Sequence, residues 1–182
     1  MQYERKRFLT KEQIQQAFLF LLEETPFEKV TIDQISQNAR VTRSTFYRYY
    51  EDKYQLLAEI EDDVISTLIH STFIKNSNPT DTEELVRRIL REYQQQFPKL
   101  HILLGPTSNP GFEQKLEQQM NHFYYQSTPP KNIEEKIIQL SLTAMWLRSL
   151  KFWVLNSDTV SFQTIEKVTL KMLTIASGEL NL

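Results

Sequence analysis

The stretch 30-VTIDQISQNARVTRSTFYRYYEDKYQLL-57 decides the fold. From Thr31 to Asn38 the pattern places Ile32, Ile35 and Ala39 on one helical face, and Thr31 with Gln34 has the spacing of a capping box. Ala39, Arg40 and Val41 form a short break. Thr42 to Tyr49 then reads as a second helix, with Phe46 and Tyr49 turned inward. Two short helices joined by a tight turn have the size of a helix-turn-helix, whose second helix lies in the major groove of DNA. Its outward positions are Arg43, Ser44, Thr45, Tyr47 and Arg48, side chains suited to phosphates and base edges. A helical hairpin with a solvated polar face shares the same pattern.

The residues around this hairpin separate the two readings. Phe27, Thr31 through Ile35, Ala39, Val41, the run Thr45-Phe46-Tyr47-Arg48-Tyr49-Tyr50, Asp52-Lys53 and Leu56-Leu57 together resemble the TetR family of bacterial transcriptional regulators. Two positions depart from that family's pattern: Arg40 stands where glycine is usual, and Tyr50 where phenylalanine is usual. The first matters for the backbone, because a turn residue with positive φ is costly for a side chain other than glycine.

The chain has 182 residues, 40% hydrophobic and 24% charged, which is ordinary for a soluble globular protein. Only three glycines, among many Leu, Ile, Gln, Glu and Lys, point to an all-α fold. With no cysteine, disulfides, thiolate nucleophiles and cysteine-bound metal are excluded, as suits a reducing cytoplasm. The amino end carries no signal-peptide pattern, and no apolar run reaches the roughly 18 residues of a membrane span. A soluble, cytoplasmic protein is expected. Net charge is −2; residues 1–50 hold eight Lys or Arg against six Asp or Glu, a balance of +2, so the remainder carries −4. A mildly basic head on an acidic body is compatible with DNA binding by the head alone.

Further along, Ile14, Ala17, Phe18, Leu21 and Leu22 predict a first helix from about Thr10 to Glu24, capped by Thr10 with Gln13. Arg5-Lys6-Arg7 in front reads as a basic arm or a frayed terminus. From Asp52 the helical pattern runs on to about Ile74 and breaks at Asn76-Ser77-Asn78-Pro79. We expect a three-helix DNA-binding head at 1–60 and a helical-bundle effector and dimerisation domain at 61–182. In the body, helices start near Asp81 and Pro98. Asn109 before Pro110 reads as an N-cap with proline at the first helical position, and Asn132 and Ser161 cap the last two helices. Gly178 stands where a helix-terminating glycine belongs. HILLGPTSNPGFEQKL (101–116) resembles a TetR subgroup that includes activators of dihydroxyacetone kinase operons.

What the resemblance implies is specific. The helix starting at Thr42 enters the major groove, with Arg43, Ser44 and Thr45 at base edges. Tyr47 and Tyr49 sit against phosphates or thymine methyls, Arg48 shares the DNA-facing side, Lys53 grips a phosphate and Thr31 meets the backbone. The last two helices form a homodimer interface on a palindromic operator, for which Trp146, Leu150, Trp153, Leu155, Val168, Met172 and Ile175 are the candidates. A small-molecule effector sits in the body, with Tyr93, His101, His122, Tyr124 and Trp146 as candidate contacts. Repression is the expected mode, and action through protein partners, as some members of that subgroup work, is the alternative. An enzyme is not expected, nor a cofactor or metal. His70, His101 and His122 lack ligand spacing, and no phosphate loop, nucleophile elbow or HExxH occurs.

Overall fold

The computed structural model describes residues 2–73, 82–109 and 111–176. Among these, every regular element is helical: α1 (Gln2–Leu22), a single 3-10 turn (Phe27–Lys29), α2 (Ile32–Asn38), α3 (Arg43–Phe46), α4 (Lys53–Phe73), α5 (Thr82–Gln95), α6 (Phe97–Leu103), α7 (Phe112–Ser127), α8 (Ile133–Leu155) and α9 (Phe162–Ala176). The expected break at Asn76–Pro79, Pro110, Gly178 and the side chain of Ile175 lie outside the described residues.

Helix α1 begins earlier than its pattern predicts. Residues 2–9 carry no glycine or proline to stop it, so Arg5, Lys6 and Arg7 lie on helix, not on an arm. Thr10 therefore cannot be a cap. Its hydroxyl donates back to the Lys6 carbonyl at 2.9 Å, the local alternative open to threonine inside a helix. A second correction concerns α7, whose N-cap is Gly111 and not Asn109. The other predicted caps form. Thr31 and Gln34 complete a capping box, Asn132 Oδ1 accepts from the Glu135 amide at 2.8 Å, and Ser161 Oγ accepts from the Thr164 amide at 3.2 Å.

The head's core is built from Ile14, Phe18 and Leu22 of α1, Phe27 of the 3-10 turn, Ile35 of α2, Phe46 and Tyr50 around α3, and Leu56, Leu57 and Ile60 of α4, all nearly or fully buried. This core does not stop at Ile60. Val64 and Leu68 of the same helix continue it into Leu90, Tyr93, Leu100, Phe112, Leu116, Leu147, Leu150 and Trp153, one contiguous cluster. In the body α5 packs against α4 and α9, and α7 against α4 and α8.

Two further ties join body to head. Thr107, in the loop after α6, donates its hydroxyl hydrogen to the Leu22 carbonyl at the end of α1. The Thr107 carbonyl in turn accepts from the Phe27 amide at 2.8 Å. Gly105 starts this loop where any Cβ would lie 2.7 Å from the His101 carbonyl oxygen, so the close approach excludes larger residues. On the far side of α4, Lys115 of α7 reaches Glu61 Oε2 at 2.9 Å and Asp62 Oδ1 at 3.0 Å. None of the described helices is long and apolar enough to cross a membrane.

Candidate nucleic-acid interface

Helix α3 is a single turn of helix and would not persist alone. Two devices hold it. Phe46 is fully buried beneath it, and Thr42 caps it, accepting from the Thr45 amide at 3.1 Å. The same hydroxyl sits 2.8 Å from Ser44 Oγ and 2.9 Å from Thr45 Oγ1, so three hydroxyls form a chain on the outward side. Beyond Phe46 the chain continues as turns, so α3 is shorter than the Thr42–Tyr49 pattern predicts. The turn before it contains the one strained backbone position among the described non-glycine residues, Arg40 at φ 55. Its left-handed conformation is the one expected at this point of the hairpin.

Arg43, Ser44, Tyr47 and Arg48 are exposed; Thr45 and Tyr49 are half-buried, Tyr49 packing on the core. Tyr47 stands edge-on to Phe46, ring centroids 5.7 Å apart, which fixes the root of an otherwise solvated phenol. Arg43 is anchored from the preceding helix: its Nη1 lies 2.9 Å from Asp33 Oδ1 and donates to Oδ2 at 3.1 Å. A hydrogen bond with Tyr47 and then the Asp33 charge raise the guanidinium above its already high ordinary value, so it is permanently cationic. Thr31, at the start of α2, is exposed. The arrangement gathers hydroxyls, two guanidiniums and a phenol on one face, over a rigid apolar base.

Lys53 is placed differently from the expectation of a phosphate grip alone. Its ammonium donates to the carbonyls of Phe27 at 2.8 Å, Glu28 at 3.0 Å and Val30 at 2.8 Å, and lies 4.7 Å from the centroid of the Phe27 ring. A lysine has three N–H donors, and here each has a carbonyl. The sequence pattern missed this clamp because its partners lie 23 to 26 residues away.

In the body, α5, α7, α8 and α9 line a cavity of about 160 Å³ that is partly open to solvent, formed by Val86, Ile89, Leu90, Met120, Tyr124, Leu142, Thr143, Met145, Trp146, Thr169, Met172 and Leu173. Tyr124 and Trp146 were expected there and line it. Burial raises the phenol pKa of Tyr124. Tyr93 is fully buried behind Trp146, ring centroids 5.7 Å apart. His101 and His122 do not reach the cavity: both are exposed, and His122 pairs with Gln126 on its own helix at 2.8 Å. Both lie on the outer faces of their helices, a distinction that residue type alone does not reveal. No group of three or more potential metal ligands occurs among the described residues.

The dimer candidates divide in the same way. Leu150 and Trp153 are 1% exposed and belong to the protein's own core, so neither can meet another subunit. Met172 lines the cavity, Trp146 and Leu155 are half-buried, and Val168 is exposed. The large exposed apolar residues of α8 are instead Ile133, Ile137, Ile138, Leu140, Met145 and Phe152. A helix apolar nearly all round signals covering on several sides, without saying which side the chain itself covers.

A capped, single-turn helix presenting polar side chains from a three-helix head, on an all-helical body, defines a helix-turn-helix protein. Residues 19–60 match the model of the bacterial regulatory proteins of the tetR family. That match covers the head of the chain and not its body. Over nearly its whole length it is similar to the crystal structure of a TetR transcriptional regulator from Streptococcus agalactiae: 28% identity, TM-score 0.66, covering 97% of this chain and 99% of that one. It is 26% identical over 148 residues to the uncharacterized HTH-type transcriptional regulator YxbF of Bacillus subtilis, covering 79% of this chain and 39% of that protein. It is 29% identical over 102 residues to the HTH-type dhaKLM operon transcriptional activator DhaS of Lactococcus lactis, covering 54% of this chain and 52% of that protein. The chain thus spans about two fifths to half the length of the curated relatives it matches.

Proposed function

We propose that the protein is a transcriptional regulator whose head, residues 1–60, reads duplex DNA through α3 while residues 61–182 carry dimerisation and effector binding. The observation that carries this reading is the face of α3: exposed Arg43, Ser44, Tyr47 and Arg48 on a buried Phe46 base. Thr31, Thr42, Thr45, Tyr49 and Lys53 complete the proposed contact set, whose role is to fix register on the phosphates. A head this modestly charged needs a second copy for affinity, and two-fold pairing on a palindromic operator supplies it. Support for pairing comes from the exposed isoleucines of α8, with Val168 and Leu173 of α9 exposed as well. The effector proposed for the cavity is small, uncharged and mostly apolar, because Thr143 and Thr169 spend their hydroxyls on their own helices.

Repression with release by the effector is the mode we favour. The likeness to an operon activator supports a second mode, activation through a protein partner. A gel-shift titration with the DNA upstream of the protein's own gene separates them. Saturable binding that weakens steeply with salt supports direct readout; no binding at low salt removes it and leaves the partner-mediated reading.

A further inference from the structure

Arg43 is expected to read a base, yet in the free protein it is already held by a carboxylate. Both Asp33 oxygens contact one nitrogen, Nη1, at 2.9 and 3.1 Å. The pair spans the two helices of the hairpin, ten residues apart in sequence. Both side chains are exposed, 58% for Arg43 and 66% for Asp33, so the pair lies on the recognition face itself. A carboxylate at that place has a cost. It faces a polyanion, and by itself it weakens binding to any DNA sequence.

We infer that Asp33 is a specificity-determining residue acting through Arg43: by holding Nη1 it aims the rest of the guanidinium at a base edge and denies that nitrogen to phosphates. This inference rests on the reading that the head binds duplex DNA. The chemistry is that of the arginine fork. A guanidinium carries five N–H donors in one plane, so one side can be held while another presents two parallel donors, as guanine O6 and N7 require. A long side chain without such support also bonds phosphates, which gives affinity without discrimination. The carboxylate therefore trades affinity for all sequences against preference for one. Asp33 is a positioning residue; it need not touch the DNA.

The test uses the full chain and a randomised duplex library. The wild-type protein selects its preferred sequence, and affinities for that duplex and a scrambled one are then compared at one salt concentration. Asp33→Ala should bind the scrambled duplex more tightly than wild type. Its ratio of selected to scrambled affinity should fall about tenfold, the effect of losing one aimed bidentate contact. The base preference relaxed in each half-site should be the one that Arg43→Ala relaxes, with Asp33→Asn intermediate. In an Arg43→Ala background, Asp33→Ala should leave the ratio where it was. Thermal unfolding of each variant checks that an exposed substitution has left the fold intact. An unchanged ratio in Asp33→Ala, or an equal fall with and without Arg43, overturns the assignment while leaving DNA binding standing. If the wild-type protein enriches no sequence and binds no duplex saturably, both the assignment and the DNA reading fall.

Discussion

The hydroxyl of Tyr50 donates to Glu59 Oε1 at 3.0 Å and accepts from Gln15 Nε2 at 3.3 Å, and these contacts explain how the head accommodates tyrosine at a position where the family pattern has phenylalanine. The ring is 1% exposed, and a buried hydroxyl requires a partner. Glu59 is in turn held by Lys11 and by Gln15, the latter at 2.8 Å, so the acid joins α1, α4 and the end of the hairpin. Burial first, and then the Glu59 carboxylate, push the Tyr50 phenol well above the ordinary tyrosine range. A proton bound more tightly in the folded state stabilises the fold fully below the unfolded value of about 10, and that contribution is lost as pH rises beyond it. Tyr50→Phe should cost about 1 kcal/mol at neutral pH, and its stability should fall less steeply than that of wild type above pH ~10. Denaturant titrations at pH 7 and above 10 check both. Parallel alkaline slopes would contradict the assignment.

Arg40 holds φ at 55 because the hairpin geometry demands it, not because arginine prefers it. The left-handed region costs an L-residue about 1–2 kcal/mol, from which the extra chain entropy of glycine, about 0.5–1 kcal/mol, must be subtracted. Arg40→Gly should therefore stabilise the protein by about 0.5–1 kcal/mol, seen as a rise of a few degrees in Tm. A lower Tm would show that the exposed arginine makes contacts worth more than its strain.

The legible features are those written within a few residues of one another. Thr31 with Gln34, Asn132 and Ser161 announce their caps because donor and acceptor lie three residues apart. Arg40 announces its strained φ because the break is too short for another conformation. Thr10 misleads by the same locality, since a threonine can bond forward as a cap or backward to the residue four before it. What stays illegible is which side of an apolar helix the chain covers. Leu150 and Phe152 stand two residues apart on α8, yet one is 1% and the other 60% exposed. Arg43 could be picked out as a base reader by type and place. Its tie to Asp33, and the tie of Lys53 to three carbonyls, required the folded backbone.

That tie makes Lys53 a test of scaffold against contact. Lys53→Met keeps the aliphatic stem over Phe27 but leaves the carbonyls of Phe27, Glu28 and Val30 to water. Hydrogen bonds from a charged donor contribute about 1.5–3 kcal/mol, and partial solvent access reduces the sum. A loss of about 2 kcal/mol in chemical denaturation is expected. DNA affinity should fall alike for every sequence, because the charge and not a base contact is removed. A variant as stable as wild type would place the lysine's role wholly at the phosphate.

The cavity makes a size prediction. An apolar cavity of about 150 Å³ accepts benzene in another protein, and this one is close to that volume at about 160 Å³. Trp146 lines it, whereas Trp153 packs between Phe97 and Phe162. Benzene should therefore change tryptophan emission saturably, and Trp146→Phe should abolish the change. A response that survives in Trp146→Phe would place the binding elsewhere.

Thr107 links the body to the head through two atoms that mutation can separate. Its hydroxyl serves the Leu22 carbonyl, while its own carbonyl serves the Phe27 amide. Thr107→Val removes the first and keeps the second with nearly the same shape. Leu22 is fully buried, so its carbonyl is left without its donor at a cost of about 1–2 kcal/mol. Thr107→Ser restores the donor and loses only a methyl group, so it should recover most of the stability. If the hydroxyl is only a local ornament of the loop, both variants should unfold with wild type. If it fastens the end of α1, valine alone should lower the denaturation midpoint, with the slope unchanged because the same surface is exposed on unfolding. The slope also decides whether head and body unfold together. A shallower transition in Thr107→Val would mean that this bond helps to hold them in one cooperative unit, and that α4 alone does not.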